Sequence, residues 1–204
     1  MGTRSPLIMQ ILHARATVKN IYGGGAKAWC NFLYYGLFRF NRFKILKADL
    51  EKAFSAERSS SPLTIHYPTA AELDALRSGR DLPREFHCDQ FQKVSFCCIA
   101  KHDNELAYIH WIYRKGDFSR FLHIRDENAA EINYVITLPP YRGRGIATAA
   151  ILDSMHTLKS QGIRYLYTVI HEENVASLKS FYKAGFEDFG STVAFGILNS
   201  KVAV

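Results

Sequence analysis

Apolar positions fall two apart over residues 94–101 and 106–114, the spacing of strands with one buried face. His102-Asp-Asn-Glu105 joins the two runs, which predicts a hairpin. Residues 132–137 are rich in β-branched and aromatic side chains and predict a strand. The period then lengthens. Ile151, Leu152, Met155 and Leu158 recur at helical spacing within residues 146–161, and Gly162 offers a stop. Residues 163–170 return to strand character. Upstream, residues 63–67 predict a first strand, and Thr69-x-x-Glu72 is a capping box opening a short helix through Leu76. Pro83 suits the first turn of another helix running towards Phe91. Cys97 and Cys98 face opposite sides of the hairpin strand and read as small apolar fillers.

One corner in this pattern carries chemistry. Thr137-Leu-Pro-Pro-Tyr-Arg-Gly-Arg-Gly-Ile-Ala-Thr148 turns from strand to helix with two glycines at its bend. Gly143 and Gly145 let the backbone approach a ligand closely. The free N–H groups of Ile146, Ala147 and Thr148 then point at it, and the helix dipole favours negative charge there. Arg142 and Arg144 add cations. This describes a phosphate cradle. It is not a P-loop, because no lysine follows the glycines at the required spacing. A dinucleotide fingerprint would need a third glycine where Thr148 stands.

The pattern Arg142-x-x-Gly145-x-Ala147 resembles the acyl-CoA signature of the GCN5-related N-acetyltransferase (GNAT) family, with Thr137 where a valine is usual. Asn174-Val-Ala-Ser-Leu-Lys-Ser-Phe-Tyr-Lys-Ala-Gly-Phe186 resembles the family's later helix, with Asn174, Ser177, Lys183, Gly185 and Phe186 in register. The resemblance spans about residues 63–190. It implies an α/β (α+β) fold, a mixed, mostly antiparallel sheet of six to seven strands flanked by helices. It also implies an acyl-CoA-dependent N-acyltransferase, with acetyl-CoA as the expected cosubstrate and a primary amine attacking the thioester directly. In that fold the strand before the turn and the next strand splay apart. Backbone groups of Val135, Ile136 and Thr137 would pair with pantetheine, and Asn174 and Ser177 would meet its arm. The helices of residues 69–91 and the loop of residues 116–127 would border the acceptor. The acceptor itself is not legible.

The proton-transfer groups follow the resemblance less closely. Glu131 stands where the family often has a carboxylate base. Phe181 occupies the position of the usual thiolate-protonating tyrosine, and Tyr182 comes one residue later, a step of about 100° around a helix. Tyr182 is retained as a candidate acid and His171 as a candidate near the cleft, while His110 reads as structural. No metal is expected.

Charge separates the chain into two parts. Residues 1–50 hold eight Lys/Arg against one acidic residue, Asp49, which leaves eighteen of each sign in residues 51–204. Trp29, Phe32, Leu33, Gly36, Leu37 and Phe40 share one helical face beyond Gly23-Gly-Gly25, and residues 42–50 turn extended. The expected organisation is a basic, aromatic extension over 1–58, packed on an acyltransferase domain over 59–204 that begins past Ser59-Ser-Ser-Pro62. Two other classes stay open: a non-catalytic acyl-CoA-binding module, and a membrane-surface protein whose basic arm meets anionic lipid or a lipid-linked substrate. Nucleic acid is not expected as a partner, since no binding motif accompanies the charge. The chain reads as a monomer or homodimer of the cytoplasm, peripheral to the membrane if the arm binds there. No apolar run reaches the length of a span, no signal peptide is evident, and the four cysteines lack disulfide or zinc spacing.

Overall fold

The protein is described here by a computed structural model covering residues 25–33, 40–52, 63–92, 94–195, 198–199 and 201–204. In chain order the elements are α1 (Gly25–Leu33), β1 (Phe40–Asp49), β2 (Leu63–His66), α2 (Ala70–Arg77), a 3-10 turn (Arg84–His87) and α3 (Asp89–Gln92). The hairpin β3 (Cys97–His102) and β4 (Glu105–Arg114) follows, then β5 (Leu122–His123), β6 (Ala129–Thr137), α4 (Ile146–Ser160), β7 (Tyr165–His171) and α5 (Val175–Lys183). The chain closes with β8 (Glu187–Phe195), β9 (Leu198–Asn199) and β10 (Val202–Ala203).

Local chemistry sets several of these boundaries. The Thr69 side chain accepts the Glu72 N–H and Glu72 reaches back to the Thr69 N–H, so the predicted capping box starts α2. Asp103 and Asn104 take positive φ at the tip of the β3–β4 hairpin, where short polar side chains tolerate that region. Pro83 stands just ahead of the 3-10 turn rather than inside a helix, so the expected continuous helix towards Phe91 is two short pieces.

Eight strands form one sheet in the order β2-β3-β4-β6-β7-β1-β8-β9, antiparallel throughout except for β6 beside β7. Apolar residues bury both of its faces. Ile151, Met155 and Leu158 of α4 and Leu178 and Phe181 of α5 cover one. Leu73, Phe86, Phe121, Leu122 and Val202 help cover the other, where β10 pairs with β5 over the sheet. Cys97 and Cys98 do lie on opposite faces, both buried.

The strand expected in the basic arm sits inside this sheet. β1 pairs with β7 from Phe43↔His171 to Asp49↔Tyr165 and with β8 from Phe40↔Phe195 to Lys47↔Glu187. Ile45 is buried on one face and Leu46, Ala48 and Leu50 on the other, so the alternation read from the sequence shows only half of what is buried. Phe40, expected on the helical face, opens β1. Gly23, Gly36, Leu37 and the break at Ser59–Pro62 lie outside the described residues, as do the side chains of Phe32 and Leu33.

Candidate active site

The site begins with one irregularity in β6. Against β4 the register runs Trp111↔Asn133 and then Ile109↔Ile136, so β6 carries an extra residue. Tyr134 takes it up at φ 51°, with its N–H donating to Asn133 Oδ1 at 2.8 Å. A bulge bends its strand, and β6 leaves β7 just before this point. The two are paired only from Ala129↔Tyr165 to Glu131↔Tyr167. Beyond Glu131 a gap opens between them, while β7 continues to pair with β1 on its other side.

Backbone direction decides what faces the gap. The Leu138 N–H donates to Ala107 O at 2.8 Å, towards β4. By two-residue alternation the polar groups of Ile136 also face β4, and those of Val135 and Thr137 face the gap. Of the three residues expected to offer free backbone groups, two are therefore so directed.

The turn stands at the end of β6. Gly143 and Gly145 have φ of 78° and 75°, which the region favouring glycine requires. A Cβ at either would meet nothing within 4 Å, so the open space above them belongs to neither side chains nor backbone. Gly145 precedes the first turn of α4, which has no side-chain cap and no acidic residue. The N–H groups of Ile146, Ala147 and Thr148 thus form an uncapped, uncompensated helix start. Arg142 Nε donates to Thr137 O at 3.1 Å and fastens the turn to the strand. Arg144 lies over the Tyr141 ring at 5.9 Å, with its guanidinium donating to His102 Nε2 at 3.5 Å. These features fit a diphosphate. The Thr148 hydroxyl donates to Ser180 O at 3.5 Å and joins α4 to α5. Asn174 caps α5 through its Oδ1, which accepts the Ser177 N–H at 3.2 Å; its amide N–H groups are separate donors.

Glu131 lies at the vertex of the gap, the last residue paired before the strands part, and is 0% exposed. Asn133 Nδ2 donates to its Oε1 at 2.7 Å. The Ser119 hydroxyl lies near, yet Oε2 has no hydrogen-bond partner. Burial pushes this carboxyl up to about 7, opposed by Ser119, Asn133 and the charge of Lys201. Glu131 shares its face with its register partners Tyr113 and Tyr167, opposite α4 and α5. Donor turn and buried carboxyl therefore lie on opposite faces of the sheet, and the gap connects them.

The other candidates are placed elsewhere. Tyr182 donates its hydroxyl to Asp188 Oδ1 at 2.6 Å and accepts from Lys44 Nζ at 3.1 Å, over β1 and β8 rather than over the gap. Those contacts hold Asp188 below the usual carboxylate range, the Tyr182 hydrogen bond first among them. Phe181 is fully buried, edge-on to Phe186 at 4.9 Å. His171 accepts the Glu173 N–H at Nδ1, 3.1 Å, which leaves Nε2–H to donate to Asn41 Oδ1 at 3.1 Å. It lies about 13 Å along β7 from Tyr167, the strand partner of Glu131. His110 is buried between Tyr108 and Ser154, and burial pulls it down to about 3.

Sequence reasoning missed a polar chain beside the carboxyl. The Tyr113 hydroxyl donates to Gln92 Oε1 and Gln92 Nε2 donates to the Tyr134 hydroxyl, each at 2.6 Å. Asn133 was recoverable, since it stands two residues from Glu131 on one strand and so shares its face. Gln92 and Ser119 gave no such signal. Among the described residues no group of three or more His, Cys, Asp or Glu is placed to hold a metal.

A strand, a doubly glycine-bent turn and an uncapped helix in this order match the acetyltransferase (GNAT) family profile over residues 64–186, more than half of the chain. The chain belongs to the GNAT family. Solved GNAT structures agree in fold. The glucosamine N-acetyltransferase region of a fungal multi-domain GH3 beta-N-acetylglucosaminidase superposes with a TM-score of 0.58 at 16% identity, covering 82% of this chain and 22% of that one. A GCN5-related N-acetyltransferase from Sphaerobacter thermophilus gives 0.53 at 14%, covering 82% and 55%. A GNAT-family acetyltransferase from Colwellia psychrerythraea gives 0.54 at 12%, covering 95% and 73%. This chain thus spans well under two thirds of the first two of these proteins. Among curated proteins no sequence matches it.

Proposed function

We propose that this GNAT chain is an N-acyltransferase that moves an acetyl group from acetyl-CoA to a primary amine, with Glu131 as general base. The reading is carried by one observation. A buried carboxyl with a free oxygen sits at the vertex of a gap whose mouth is an uncapped helix N-terminus. Arg142, Arg144, Gly143, Gly145 and the Ile146–Thr148 amides would hold the diphosphate. Val135 and Thr137 would pair with the pantetheine arm, and the Asn174 amide would meet it.

The acceptor arrives as an ammonium and must lose a proton before its nitrogen can attack. A carboxyl tuned near neutrality can take that proton, directly or through one water, at working pH. The amine nitrogen then bonds to the thioester carbonyl carbon, and the C–S bond breaks to release CoA thiolate. An N–H facing the gap is suited to the negative charge developing on the carbonyl oxygen. No buried side-chain acid waits for the thiolate, because Phe181 fills the core and Tyr182 is held by Asp188. The thiolate is left to solvent, which its modest basicity permits.

Phe181 equally favours a second reading, a binding module without turnover. Two measurements on the full chain decide. Acetyl-CoA should raise the melting temperature, and a thiol-release assay with an amine panel should show turnover. A melting shift without thiol release would leave only the binding module, and no shift would remove both.

A further inference from the structure

We propose, building on the acyltransferase reading, that the acceptor is a small primary amine whose own frame carries a carboxylate or phosphate, received by a basic rim around Glu131. The rim is made by three exposed cations, each set on a phenylalanine. Arg84 lies over Phe91 at 4.6 Å, Arg120 over Phe121 at 4.9 Å and Lys201 over Phe118 at 4.1 Å. Such stacking holds the cation in place while its N–H donors stay free for an anion.

All three border the acceptor face. Phe91 neighbours Gln92, which joins Tyr113 and Tyr134 beside the carboxyl. Ser119, next to Glu131, lies between Phe118 and Arg120 in sequence. Val202, which follows Lys201, pairs with Leu122 above the same face. Arg84 and Arg120 both act on Tyr134, and Lys201 acts on Glu131 itself.

The acidic groups nearby do not cancel this charge. Burial pushes the Glu85 carboxyl up towards its neutral form. Asp117 accepts the Arg114 N–H, and Asp89 is bound to Arg77 at 2.6 Å. Neither Arg84 nor Lys201 has a carboxylate partner among the described residues.

Specificity follows from the arrangement of signs. A bare ammonium, and still more a polyamine, must pass three like charges to reach Glu131, which opposes its approach. An amine carrying its own anion meets attraction at the rim while its ammonium meets the carboxylate at the vertex. Glu131 is covered by residues 118–124 and β10, so a slender acceptor suits the approach better than a folded protein surface.

The test compares matched amines on the full chain: 3-aminopropanol against β-alanine, and ethanolamine against O-phosphoethanolamine, with cadaverine as a dication. Thiol release gives kcat/KM, and saturation-transfer NMR with CoA present gives binding. The anionic member of at least one pair should be favoured about tenfold in low salt, as two or three exposed ionic contacts allow. The pair that responds tells carboxylate from phosphate. The preference should shrink with added NaCl and fall towards one in the Arg84→Gln/Lys201→Gln double variant, whose changes are both on the surface. If acetyl-CoA shifts melting but both members of each pair react and bind alike, or cadaverine is preferred, the rim proposal is overturned and the acyltransferase reading stands. If acetyl-CoA gives no shift, that reading falls. Binding of O-phosphoethanolamine that is lost in the double variant would still uphold the rim, and its absence would overturn that too.

Discussion

The two long edges of β7 behave differently. On one, β1 pairs with it over seven consecutive residues, from His171 back to Tyr165. On the other, β6 pairs for three and then leaves. The same strand thus serves as scaffold on one side and as the wall of a cleft on the other. The side that function needs is the one where pairing was given up. A bulge at Tyr134, in a backbone region that disfavours ordinary side chains by about 1–2 kcal/mol, sustains that loss. The β1 side lends the rigidity that lets it persist.

That contrast can be broken at either edge. The largest effect is expected on the cleft side. Glu131→Gln keeps the shape and the Asn133 contact region but removes the base, so kcat should fall about 10²–10⁴-fold. Acetyl-CoA affinity, read by calorimetry, should stay within about twofold. A loss of affinity matching the loss of kcat would make Glu131 structural.

On the scaffold side, Ile45→Ala empties a fully buried position on β1. It should cost about 2–5 kcal/mol in denaturant unfolding, with acetyl-CoA affinity preserved in the fraction that stays folded. A change below about 1 kcal/mol would mean that β1 is not part of the cooperative sheet.

At the mouth of the cleft, Arg142→Glu sets like charge against the diphosphate. Affinity should drop roughly 10–100-fold, as expected for a charge-assisted contact. The melting temperature of the free protein should move little, because Arg142 is exposed.

The titration of Glu131 gives a subtler pair of effects. Its folded value, about 7, lies above the ordinary 4.5. Below about 7 the carboxyl is neutral and cannot take a proton, so kcat/KM should rise through neutrality with a limb absent from Glu131→Gln. Stability runs the opposite way. The contribution of Glu131 is complete below about 4.5 and is lost as pH rises to about 7, on the order of 3 kcal/mol. The glutamine variant should therefore be the more stable protein at pH 8 and differ little at pH 4.

The smallest change belongs to Tyr182→Phe. With its hydroxyl already committed to Asp188 and Lys44, kcat should change less than about twofold. A tenfold loss would bring Tyr182 back as the acid.

Much of this was legible where a few neighbouring residues decide the structure. The turn with Gly143, Gly145 and the following helix could be read because each of its requirements is local. The capping box at Thr69 and Glu72 and the hairpin at Asp103-Asn104 share that property. The splay could not be read, since it depends on a register between β4 and β6 that no short window contains. The place of β1 was hidden for the same reason, its partners lying more than a hundred residues away. Tyr182 illustrates a limit of another kind. Its position in the chain was clear, but which neighbour would claim its hydroxyl depended on β1 and β8, and their meeting was not visible.

The position of β1 has a consequence for synthesis. Ribosomes release it first, yet both neighbours that hydrogen-bond to it emerge more than a hundred residues later. At roughly 5–20 residues per second that interval is on the order of ten seconds. Throughout it, Phe43, Ile45 and Leu46 have no sheet to enter and offer a sticky ribbon to chaperones and to other nascent chains. Yield in a cell should accordingly respond to translation speed and chaperone supply more than the melting point of the finished protein would suggest.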